Sequence, residues 1–297
     1  MKTVIFLIKR NTKLFFKDKG MFFTALITPA ILLVLYGTFL GNVYRDSFTV
    51  SLPEGLPISE NLIESLVGSQ LISSILAVSC VTVAFCSNFL MVQDKTNGCI
   101  KDLRISPVKS SALSISYYIA ALLSTFLICF AAAGICLAYL AAVGWYLSAA
   151  DVLLLFLDIA LLVLFGTALS SIINFFLSTQ GQISAVGSIV SAGYGFICGA
   201  YMPISSFGSG LQKAVLFLPG TYGTSLVRNH TMRGVFAEMQ RRGVPEEAIA
   251  PMKDALDCNL YFFGSHVGIP VMYLILGGTV AALIAAYILL NVLKTRK

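Results

Sequence analysis

The 297-residue chain is 57% hydrophobic and 11% charged, against roughly 45–50% and about 25% in soluble domains, and its mean hydropathy is +0.86. These values exclude a soluble enzyme or binding module and identify an integral membrane protein. The net charge of +6 is therefore read for topology, since no Lys/Arg patch with interleaved aromatics points to nucleic acid.

Residues 1–19 read as an amphipathic helix. At 100° per residue Val4, Leu7, Ile8, Leu14 and Phe15 share one arc and Lys2, Lys9, Arg10, Lys13 and Lys17 the opposite one, with only Asn11 spoiling the apolar side. Such a helix lies flat in the headgroup region of an anionic leaflet. Its apolar run is too short for the core of a cleavable signal peptide. A bilayer core about 30 Å thick needs ~20 helical residues, and six stretches qualify, near 21–40, 66–92, 112–143, 149–178, 183–201 and 268–293. Pro29 in the first is tolerable where neighbouring helices satisfy the freed carbonyl. Ser148 to Asp151 predicts a capping box at the start of the fourth.

Between the second and third spans lies a polar, basic island, 93–111. Asn97-Gly98 is a turn signal, and Ile100 to Ser106 has the length of about two helical turns before Pro107 stops them. Leu103 and Ile105 give that helix an apolar tip, surrounded by the charges of Lys101, Asp102 and Arg104. Of the 20 Lys and Arg residues, six fall in the N-terminal segment, four in the island and three after Leu293. Six alternating spans put these on one side, the cytoplasm, together with both termini. An impermeant thiol reagent is then expected to reach Cys258 from outside and Cys99 only from inside.

The segment 202–267 is broken by Pro203, Gly208, Gly210, Pro219 and Gly220. Its apolar part, 211–218, predicts short helices dipping into the outer leaflet. The stretch 235–258, with alternating charge, predicts a small external cap, and 221–234 would join the two.

Chemistry is sparse. The chain contains no Gly-x-x-x-x-Gly-Lys-[Ser/Thr] with which to cradle phosphates. No nucleophile–His–acid arrangement presents itself, and the cysteines lie apart, mostly in apolar runs, so neither enzyme nor metal site is expected. Asp158 is the only carboxylate well inside a predicted span, about 14 Å along its helix. At that depth it is either functional or bonded to a Ser or Thr of a neighbouring helix. Gly187, Ser191, Gly195 and Gly199 recur every four residues, which makes one smooth strip for helix packing or for the wall of a path.

Three features together resemble the membrane subunits of the ABC-2 type export family. They are the basic helix leading into the first span, the loop Asp94-Lys-Thr-Asn-Gly98…Leu103…Ser106-Pro107, and Pro203…Pro219…Tyr222…Arg228 before the last span. Gln93 departs from the family, many of whose members carry an acidic residue there; Asp94 is the candidate to take that role. The resemblance implies an all-α integral membrane protein with six transmembrane helices, an N-terminal interfacial helix and an external re-entrant segment. It further implies a permease that pairs with a second or homologous copy in a bacterial plasma membrane. A separate ABC ATPase subunit would hold ATP and Mg and push on 93–110, with Asp94, Gly98, Lys101, Asp102, Leu103, Arg104, Ile105 and Pro107 as the contact. The rival readings are an ion- or proton-coupled transporter built around Asp158, and a membrane-embedded enzyme or scaffold.

Overall fold

The structure, a computed structural model, describes residues 2–51, 59–105 and 108–295. Helix α1 (Lys2–Lys17) buries Leu7, Asn11 and Phe15 against the bundle, the arc expected from its sequence. It ends at Asp18, whose carboxylate accepts from the Met21 amide at 3.1 Å and so caps α2 (Lys19–Leu35). A π-helical turn at Tyr36–Leu40 leads into α3 (Gly41–Ser51) without interrupting the rod. A Cβ at Gly41 would lie 2.6 Å from the Tyr36 carbonyl oxygen, so glycine is what lets this widened turn close.

The chain continues through α4 (Glu60–Thr96), α5 (Cys99–Ile105), α6 (Ser110–Val143), α7 (Ala149–Phe176) and α8 (Gln180–Ile197). A 3-10 turn (Ile204–Ser206) and α9 (Ser209–Val215) precede α10 (Pro219–Arg241) and α11 (Glu246–Ala255). An antiparallel hairpin of β1 (Leu260–Phe262) and β2 (Ser265–Val267) then enters α12 (Ile269–Thr295). The capping box at Ser148 forms as expected: its hydroxyl accepts from the Asp151 amide, and the Asp151 carboxylate accepts from the Ser148 amide.

Among the described residues, five helices are long and apolar enough to cross a membrane: Lys19–Asp46, Glu60–Thr96, Ser111–Val143, Ala149–Phe176 and Ile269–Leu293. The remaining expected span, 183–201, corresponds to α8. Its 18 residues reach about 27 Å at 1.5 Å per residue, but Gln180, Gln182 and its glycines dilute its apolar character, and it is not among the five.

Helix α4 is the axis of the bundle. Its most apolar window is entirely buried, and α2, α6, α7, α8 and α10 all pack on it. An enclosed helix has no polar face to offer water, and most of the Ser, Thr, Gln and Asn side chains of α4 are buried along with its apolar ones. Some of its hydroxyls turn back on its own backbone, Ser79 to the Ile75 carbonyl at 2.6 Å and Thr82 to Val78 at 3.0 Å. Close approach to α7 depends on Gly166, where a Cβ would stand 3.0 Å from the Cys80 carbonyl oxygen. Asn88 then donates across the seam to the Ser170 and Ser171 hydroxyls at 2.6 and 2.9 Å.

The segment before α12 differs from expectation. Residues 221–234 do not link two pieces; they are the inner part of the 23-residue α10, which packs against α4, α7 and α12. The cap expected at 235–258 starts as the outer end of this same helix. There Met232, Phe236 and Met239 of α10 join Leu62 and Leu66 of α4, Phe48 of α3 and Ile249 and Met252 of α11 in a second core. Cys258 belongs to it and is 3% exposed, with burial pushing its thiol up to about 12. The expected labelling of Cys258 is therefore corrected: the thiol is covered and protonated.

Candidate functional site

Helices α2 and α8 both pack on α4, meet where the Thr28 hydroxyl reaches the Ser191 carbonyl, and leave an interrupted groove along its surface. One half is a cavity of about 510 Å³ whose lining includes Asp18, Thr24, Phe89, Gln93, Gln180 and Ser188. The other is a cavity of about 1110 Å³ bounded by Leu35, Tyr44, Phe196, Met202, Pro203 and Met252 among others. The two meet at Ser191, which lines both. Together the two cavities extend from the α2 cap to the α11 end of the molecule. One wall, α8, turns Ser184, Ser188 and Ala192 outward.

The strip of small residues on α8 is not one smooth surface. Gly187 faces the Phe89 ring of α4, where a Cβ would approach to 3.3 Å, and Gly195 is covered by the Tyr201 ring, which a Cβ would strike at 2.4 Å. Gly199 ends the helix at φ +74°, a left-handed conformation that suits glycine. The Ser191 carbonyl accepts from the Tyr201 hydroxyl at 3.3 Å and the Thr28 hydroxyl at 3.5 Å. Tyr201 is therefore the element that closes the strip, and its ring was not foreseen there.

At the α5 end, Gly98 adopts φ +80°, the turn expected of Asn97-Gly98. Helix α5 forms as expected, but its apolar residues divide. Ile100 is buried and Leu103 packs against the bundle core, whereas Ile105 is 86% exposed. Lys101 and Asp102 are exposed beside it. Pro107 and the Arg104 side chain lie outside the described residues. The expected tip is thus a single residue, Ile105.

Asp94 is buried rather than presented to a partner. Its carboxylate accepts from Arg10 Nη1 at 2.7 Å and from the Tyr117 hydroxyl at 2.5 Å, pinning α1 to α4 and α6. Partial burial opposes the Arg10 charge, but the hydrogen bond and Coulomb attraction of Asp94 outweigh it and hold the guanidinium above its ordinary value. Asn11 completes the patch, accepting from Arg10 at 2.8 Å and donating to Ser116 at 3.5 Å. The residue that spoilt the apolar arc is therefore its polar fastening. Next to Asp94, Lys95 donates to the Asn174, Phe175 and Leu177 carbonyls at 2.9, 3.2 and 3.1 Å, which satisfies the end of α7.

Asp158 is fully buried, and its partners are not Ser or Thr. One oxygen lies 2.5 Å from His230 Nδ1 of α10, and the other accepts from the Tyr273 hydroxyl of α12 at 2.5 Å. The cluster ties α7, α10 and α12 together and lines neither half of the groove. The available signal was that Asp158, alone in its span, needs a donor, and His230 is one of only two histidines.

Arg228, also fully buried, donates to Asp257 at 2.7 Å and to the Gly199 carbonyl at 2.5 Å. Asp257 further accepts from the Ile204 amide at 2.9 Å. Pro219 opens α10 at a position where its missing amide costs nothing. The Tyr222 hydroxyl donates to the Leu216 carbonyl at 2.7 Å, and Pro203 precedes the 3-10 turn at the groove wall. These four residues shape the segment but do not form one cluster.

Residues 2–231 match the family model described as ABC-2 type transporter. No curated protein and no solved structure matches the chain.

Proposed function

The chain belongs to the ABC-2 type transporter family, the membrane-spanning permease component of an ABC transporter, and from that premise we propose that the α2/α8 groove is its half of an export path. Two permease copies, identical or homologous, face each other across their grooves. A separate ABC ATPase, which binds ATP and Mg, docks on α5 from the cytoplasm, the side that also holds both termini. The observation that carries this reading is the pair of cavities along the bundle axis that share Ser191 in their linings. The exposed Ile105 supports the docking contact, and the basic residues gathered at 2–19, 93–111 and 294–297 support the orientation.

The test needs no knowledge of cargo. On a Cys99→Ser background, Ser188→Cys and Ala192→Cys in the groove should react with a charged thiol reagent. Their rates should change severalfold when the assembled transporter binds ATP. Leu274→Cys, 74% exposed on α12 and absent from the groove lining, should stay unreactive throughout. Groove cysteines that ignore ATP would sink the proposal.

A further inference from the structure

Resting on the reading of the groove as the export path, we propose that its cargo is a lipophilic organic cation. The chain carries a net charge of +6, yet among the described residues lining the groove every charged side chain is acidic. Asp18 stands at one end and Glu247 at the other, and no Lys or Arg lines either cavity. Neither carboxylate takes part in a salt bridge among the described residues, unlike Asp94, Asp151, Glu238 and Glu246. Arg45, beside Tyr44, meets Glu64, and Arg228 meets Asp257, beside Leu256; Lys17 and Lys19 flank Asp18 in sequence but line neither cavity.

The larger cavity is mostly apolar and aromatic, with Phe39, Tyr44, Phe48, Phe196 and Tyr201 around it, and the smaller one adds the uncharged polar groups of Thr24, Gln93, Gln180 and Ser188. Aromatic faces attract a cation that has shed its water, and the volume of about 1110 Å³ accommodates a drug-sized apolar body. A carboxylate at each end draws a cation in and receives it on leaving. Both carboxylates repel an anion of the same shape, and a neutral molecule gains nothing from either of them.

The full-length chain in nanodiscs of zwitterionic lipid offers a direct test with an isosteric pair, tetraphenylphosphonium and tetraphenylborate. The phosphonium should bind saturably, and the borate should show only unsaturable partition into the lipid. Asp18→Asn combined with Glu247→Gln should weaken phosphonium binding about tenfold. Asparagine keeps the helix cap at residue 18, so the fold is retained. Glu238→Gln, away from the groove, should leave binding unchanged. Saturable borate binding of equal strength overturns the cargo class, as does undiminished phosphonium binding by the double variant. Absence of saturable phosphonium binding, with Ala192→Cys still responsive to ATP, overturns the cation class and leaves the path standing. Loss of that ATP response overturns the path itself.

Discussion

Asp158, His230 and Tyr273 show what a buried polar group requires of its surroundings. Three helices each contribute one member, so removing any one takes a hydrogen bond from the buried Asp158 carboxylate or from its partners. His230→Ala should cost about 1–3 kcal/mol, and more if the abandoned carboxylate stays charged. A lowered thermal midpoint of the purified protein would register this. Asp158→Asn, which keeps an acceptor for Tyr273, should cost less; equal losses would mean that the charge is what matters. Asp94 makes a parallel case outside the spans. Asp94→Ala should release α1, seen as faster hydrogen exchange over residues 2–17, and unchanged exchange there would show that apolar contacts alone hold the helix. Both carboxylates were legible in the sequence as unusual. Their partners were not, because Arg10 lies 84 residues from Asp94 and His230 72 residues from Asp158, and no local pattern encodes such pairings.

Secondary structure followed the hydrophobic pattern wherever one environment governed a whole helix. The arc of α1, the capping box of α7 and the turn before α5 were readable for that reason. Helix α10 was not, since its inner turns carry Thr, Gly, Ser, Arg and His against apolar neighbours, and its burial comes from α4, α7 and α12 rather than from its own composition. Helix α5 was readable in existence but not in facing, because its seven residues are too few to fix which side meets the bundle. The division of its apolar residues makes two substitutions separable. Ile105→Ala should weaken co-purification with the ATPase at least tenfold, about 1.4 kcal/mol, and leave the thermal midpoint alone. Leu103→Ala should do the reverse, losing ~1–2 kcal/mol of stability from a half-buried contact. Gly98→Val, at a left-handed position, should add strain of about 1–2 kcal/mol and misdirect α5, lowering association without touching Ile105. Normal association in the Ile105 variant would place the docking contact elsewhere.

The molecule as a whole has one polar, basic end at α5 and a capped end at α11. Opposite placement of these ends can be checked with thiols, using exposed positions in place of the covered Cys258. Phe263→Cys, 64% exposed, should label from outside intact cells, and Cys99 only after the membrane is opened; the converse pattern would invert the topology. Between the ends runs α4, and its length has a mechanical meaning. Its 37 residues make a rod of about 55 Å, nearly twice the ~30 Å hydrocarbon core. At one tip it carries the Gly98 hinge; at the other, Leu62 and Leu66 are embedded in the cap. A rod enclosed by α2, α6, α7, α8 and α10 has little room to bend aside. A stroke delivered at α5 should therefore arrive at the far tip almost undiminished, as a tilt of the lid formed by α11. Nucleotide bound on one side of the bilayer would then be felt on the other as a change in hydrogen exchange over residues 246–258, with α4 acting as a crankshaft between two compartments that share no solvent.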